Sequence, residues 1–139
     1  MGEFKQAEFV KGCTVLGSDN VKAWKDILKS RLYPELKDEA AFARLYKYTF
    51  GFATEKGFKN VEVETACALW ELFLGKRCSF LPQWINFLTE EKKDLKVVTR
   101  DTWDLFFDLV KQTKGDLKNF VDDGAWPSQI DEFILYTQK

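Results

Sequence analysis

Two carboxylates near the starts of helices, Asp101 in "TRDTWD" and Asp131 in "GAWPSQIDE", have the clearest chemical potential in this 139-residue sequence. Thr99 can cap the helix that Asp101 opens, and Pro127 suits the first turn of the helix that carries Asp131. Each carboxylate then stands where the helix macrodipole favours negative charge. Between them in sequence lies Ala125, whose side chain is too small to shield anything, flanked by Gly124 and the ring of Trp126. A pair of carboxylates beside so shallow a floor would accept one or two long basic side chains, with their methylene stems over Ala125. The same acids also read as ordinary helix-start electrostatics on a solvated face, and the residue types alone leave both readings open.

Other chemistries find less support. The chain has no histidine, which removes Ser-His-Asp and Cys-His nucleophilic machinery, imidazole acid/base work and His-ligated zinc. "SDN" at Ser18 to Asn20 lacks the SxxK partner of penicillin-binding enzymes and reads as a helix cap. "DDGAWPSQIDE" fails as a calcium loop. With Gly124 in the sixth position, Val121 and Ile130 occupy the third and twelfth, where carboxylates must bind. No GxGxxG or Walker sequence offers a phosphate cradle. Cys13, Cys67 and Cys78 show no CxxC spacing and read as small buried hydrophobes of a reducing compartment. The expected cofactor and metal content is none.

Composition bounds the partners. The net charge of −1 draws the chain to neither nucleic acid nor an anionic membrane, and no apolar run is long enough for a membrane span. The charge is nevertheless polarised. Residues 99–139 hold eight acids against five bases, net −3, which leaves +2 for residues 1–98. The expected setting is the nucleus and cytoplasm, and the expected state a monomer.

The elements that must position Asp101 and Asp131 are helices, because apolar spacing returns repeatedly to three and four. The first stripe is Phe9, Cys13 and Leu16. The second, capped by Ser18, is Val21, Trp24, Leu28 and Leu32, stopping before Pro34. Asp38 caps a third with Phe42, Leu45, Thr49 and Phe52. Residues 61–74 form a fourth through Ala66, Leu69, Trp70 and Phe73, with Gly75 as a left-handed C-terminal residue. Leu81, Trp84, Ile85 and Leu88 form a fifth face; Trp103, Phe106 and Val110 a sixth; Ile130, Phe133 and Ile134 a seventh. Only "NVEVE" alternates like a strand. The fold class is thus all-α, one compact domain of about seven helices over residues 1–139, with Trp103, Trp126 and Pro127 as structural anchors of its acidic end.

The segments "EFKQAEFVKGCTVLG", "YKYTFGFA", "ALWELFL", "WINFL", "RDTWDLFFDLVK" and "DDGAWPSQIDEF" resemble, in one register, the potentiating-neddylation domain of the defective-in-cullin-neddylation family. The resemblance implies an all-helical, non-catalytic scaffold, its N-terminal part EF-hand-like without calcium sites. Such a scaffold acts as a ligase cofactor, helping the Nedd8-conjugating carrier enzyme pass its modifier to a cullin. In that family an Asp-Ala-Asp patch holds a basic surface of the cullin C-terminal winged-helix domain; the matching positions are Asp101, Ala125 and Asp131, with Asp104 and Glu132 adding field at the rim. A second, apolar pocket takes the carrier enzyme's N-acetylated methionine. Its matching positions are Phe4, Phe52, Val61, Leu69 and Leu72, most of which helical spacing alone would assign to the core. The resemblance also implies upstream helices in the full family domain, which residues 1–139 are expected to lack. The competing reading is a generic helical adaptor that uses the same acidic patch on another basic partner.

Overall fold

The computed structural model describes residues 2–139, and among them seven helices and one small ribbon. The chain divides into two compact units, Met1–Phe52 and Ala53–Lys139.

The first unit holds α1 (Gln6–Leu16), α2 (Val21–Ile27) and most of α3 (Glu39–Ala53). Phe4, Phe9 and Trp24 form a run of ring contacts, Phe9 stacked on Trp24 at 6.3 Å. The cap of α2 is Asn20 rather than Ser18: the Asn20 side chain accepts from Ala23 N at 2.8 Å, while the Ser18 hydroxyl donates to the Asn20 carbonyl. Nor does α2 stop before Pro34. It widens into a π turn at Leu28–Leu32 and continues through Tyr33–Glu35, a route open to proline at the start of a new turn, where its missing N–H is not needed. Asp38 caps α3 as expected, accepting from Ala41 N at 3.2 Å. The buried face of α3 is Phe42, Tyr46, Thr49 and Phe50, not the stripe through Leu45 and Phe52, both of which are exposed.

The second unit is built on aromatic rings. A two-residue antiparallel ribbon pairs β1 (Val61–Glu62) with β2 (Val97–Val98), Val61 opposite Val98, so residues 61 and 62 are strand before the helix begins. From this ribbon start both α4 (Val63–Leu74) and α6 (Arg100–Thr113). Between them, α5 (Leu81–Asn86) runs on through a π turn at Phe87–Glu91; α7 (Ser128–Thr137) closes the chain. Trp70, Trp84, Trp103, Phe106 and Phe133 are fully buried. Trp84 stacks on Phe106 at 4.6 Å and meets Phe133 edge-on at 5.1 Å, and Trp70 stacks on Trp103 at 5.2 Å. Ring pairs at these separations add to the gain from area burial, and they seat α6 and α7 on one core.

Two helix ends differ from expectation. Gly75 is right-handed, not left-handed, because the N–H groups of Arg77 and Cys78 both close onto the Leu74 carbonyl at 2.9 Å. Pro127 lies just outside α7 in an extended conformation and serves as its N-cap residue.

Candidate functional site

Asp101 is in the first turn of α6, whose N-cap is Thr99: its hydroxyl oxygen accepts from Thr102 N at 3.2 Å. The ribbon residue Val98, 1% exposed, anchors the chain immediately before that cap. Trp103, buried two residues after Asp101, fixes the helix from the other side. The Asp101 carboxylate is left in solvent, free of the cap and next to the positive end of the helix dipole.

The second carboxylate is placed by a shaped loop. Asp122 accepts from Gly124 N at 2.9 Å and Asp123 from Ala125 N at 2.9 Å, two successive Asx turns. Gly124 takes φ 74, a conformation other residues adopt with strain. These bonds hold Ala125 exposed at the surface. Trp126 then turns its half-buried ring onto Phe120 at 6.1 Å, and Pro127 leads into α7. Ile130 and Phe133, both fully buried, pin α7 to the core, so Asp131, one residue after Ile130, faces outward and is exposed.

The two helix starts meet. The Thr99 hydroxyl donates to Thr102 Oγ1 at 3.2 Å, and the Thr102 hydroxyl donates to Gln129 Oε1 at 3.1 Å. The residue after Asp101 is therefore bonded to the residue two before Asp131. Asp101, Ala125 and Asp131 are all exposed on the segments that this bond joins. Asp104, one turn further along α6, is half-buried, with Oδ1 enclosed and without a hydrogen-bond partner. Glu132 is held by Lys92 in an ion pair at the surface, which offsets its charge at the rim. Neither Thr102 nor Gln129 was legible as a site residue. They stand 27 positions apart, and nothing in either local pattern signals the other.

The remaining predicted residues divide between the units. Phe4 and Phe52 belong to the first; Phe4 is 80% exposed and Phe52 stacks on Tyr48 at 6.0 Å. Val61, Leu69 and Leu72 belong to the second. Val61 is buried in the ribbon, Leu69 is half-buried, and Leu72 is 79% exposed. The expectation that most of these five are core fails for Phe4, Phe52 and Leu72. Burial pushes the thiols of Cys67 and Cys78 up to about 11; Glu71 and Glu64 add to the effect on Cys67, while backbone hydrogen bonds from Phe80 and Leu81 oppose it on Cys78. Neither is poised as a thiolate at neutral pH.

Comparison with known proteins identifies the family of the chain. Residues 23–136 match the family described as Cullin binding. The chain is 34% identical to "Defective in cullin neddylation protein 1" of Caenorhabditis elegans, over 99% of this chain and 52% of that protein. It is 37% identical to "DCN1-like protein 3" of Homo sapiens, over 96% of this chain and 45% of that protein. The chain spans about half the length of the curated relatives it matches.

Proposed function

This chain belongs to the cullin-binding family, and on that premise we propose that it is a scaffold for cullin neddylation, whose acidic patch of Asp101, Ala125 and Asp131 holds a basic surface of a cullin winged-helix domain. The observation that carries the reading is the meeting of the two helix starts through Thr102 and Gln129 with both carboxylates exposed and the small Ala125 side chain on the loop between the two helices. Those three positions are the ones the family resemblance assigns to cullin binding. A long basic side chain crossing Ala125 has carboxylates available on both segments, and charge-assisted pairs are the strong class of hydrogen bond.

The scaffold performs no covalent step of its own. It holds cullin and the Nedd8-conjugating carrier together, so that transfer proceeds at the effective concentration of a single complex. A second contact, with the acetylated N-terminus of the carrier, rests on the family resemblance; within the second unit the exposed Leu72 and half-buried Leu69 leave apolar surface available to it.

The test pairs folding with binding. Asp101→Ala and Asp131→Ala should each leave the melting temperature within a few degrees, since an exposed carboxylate at a helix start contributes about 0.3–1 kcal/mol. Their affinity for an isolated cullin winged-helix domain should fall by about 2–5 kcal/mol through the unpaired basic partner. Ala125→Arg should be worse, adding bulk and like charge together. Folded variants that bind the domain as the parent does, or that support modifier transfer at the parental rate, would remove the assignment. Equal affinity of acetylated and free-amine carrier peptides would remove the second contact.

A further inference from the structure

We infer that Thr102 and Gln129 are positioning residues for partner binding: their hydrogen bond sets the separation of the Asp101 and Asp131 carboxylates and so the spacing of basic side chains that the patch accepts. The inference rests on the cullin-binding reading above and adds to it a determinant of specificity.

The hydrogen bond between Thr102 and Gln129 joins the starts of the two helices that carry these carboxylates. Asp101 is carried by α6 and Asp131 by α7, and each helix is seated on the aromatic core by its own side chains, α6 through Trp103 and Phe106 and α7 through Ile130 and Phe133. Core packing holds a helix axis, but a helix so held can still slide or turn at its end by a fraction of an ångström. The bond from Thr102 Oγ1 to Gln129 Oε1, at 3.1 Å and partly buried, acts at the ends themselves. It is backed by the Thr99 hydroxyl, which donates to Thr102 Oγ1 at 3.2 Å, so the cap of α6 and the start of α7 belong to one chain of hydroxyl and amide groups. Recognition by a pair of fixed carboxylates depends on their spacing, because a partner's basic groups must be met without reorganising either side.

The arrangement also separates positioning from capping. Thr102→Val keeps the backbone N–H that donates to Thr99 Oγ1 and keeps the β-branched shape, so it removes the strap and leaves the cap. Gln129→Leu removes the acceptor at a half-buried position. Thr102→Ser retains the hydroxyl.

The experiment measures affinity of these variants for an isolated cullin winged-helix domain by calorimetry, with melting temperature in parallel and Asp101→Ala and Asp131→Ala as references. Thr102→Val and Gln129→Leu should each weaken binding about five- to tenfold with little change in melting temperature. Thr102→Ser should restore parental affinity. The double variant should bind no more weakly than either single one, because the strap is lost once; a purely structural role would not produce this saturation in binding. If Thr102→Val and Gln129→Leu bind as the parent while the aspartate variants lose binding, or if the two losses add, the strap is overturned and the patch stands. If the aspartate variants themselves bind as the parent, the cullin-binding reading falls.

Discussion

Replacing Gly115 by alanine should destabilise the second unit strongly while sparing the acidic patch. Gly115 follows the left-handed Lys114 at the end of α6 and has φ 78. A Cβ built there would lie 2.0 Å from the Arg77 carbonyl oxygen and 3.0 Å from its carbon, and this neighbour is backbone, which cannot swing aside like a side chain. An L-residue in the left-handed region costs about 1–2 kcal/mol. Relieving the clash must also shift residues 77–79, and Ser79 donates both its backbone N–H and its hydroxyl to the Gly115 carbonyl at 2.8 Å. Each such bond contributes about 0.5–1.5 kcal/mol net. The sum is about 2–5 kcal/mol, equivalent to a fall in melting temperature on the order of 10 °C for a chain of this size. Scanning calorimetry reads the loss directly. The patch lies at the other end of the fourteen-residue α6, about 20 Å away at 1.5 Å per residue. Affinity for a cullin winged-helix domain, measured below the transition, should therefore stay within about twofold of the parent. A melting temperature within 2 °C of the parent would refute the close approach to Arg77. A folded variant with lost affinity would refute the independence of the two ends of α6.

Trp126→Ala should cost about 2–3 kcal/mol, less than the ~3–5 of a fully buried ring, because Trp126 is only partly enclosed and its main ring neighbour is Phe120; urea denaturation measures it, and no measurable loss would remove Trp126 as the anchor of the loop. Trp126→Phe should recover most of that loss, since the indole Nε1 is enclosed without a hydrogen-bond partner and nothing paired is given up. The buried cysteines make stability fall in alkali. Their folded values near 11 lie above the ordinary thiol value of 9.0, so the stabilisation of the neutral thiol is complete below pH 9 and is lost as pH rises from 9 to 11. A urea midpoint that drops between pH 9 and 11 in the parent, but less in Cys67→Ala with Cys78→Ala, checks this; at pH 8 the half-exposed Cys13 should react with a thiol reagent well before the other two.

The spacing of apolar residues and the local caps were sufficient to locate most of the helices. Thr99 and Asp38 cap as read because a cap is an interaction between residues three apart, complete within one turn. The inward faces of α5, α6 and α7 through Trp84, Trp103, Phe106, Ile130 and Phe133 were legible for the same reason: one face dominates when large rings repeat at helical spacing. That logic failed on α3, where apolar residues lie on neighbouring stripes and only packing selects Tyr46 and Phe50 over Leu45 and Phe52. It failed again on α2, since a proline's effect depends on whether the turn before it tightens or widens. Asp101, Ala125 and Asp131 were singled out from residue types near helix starts, but the hydrogen bond that joins the two helix starts was not legible. That bond depends on Thr102 reaching Gln129 across 27 residues, just as the need for glycine at 115 depends on Arg77 approaching from 38 residues away. Short-range preferences are written into neighbouring residues, whereas contacts between distant segments exist only once the aromatic core has brought their helices together.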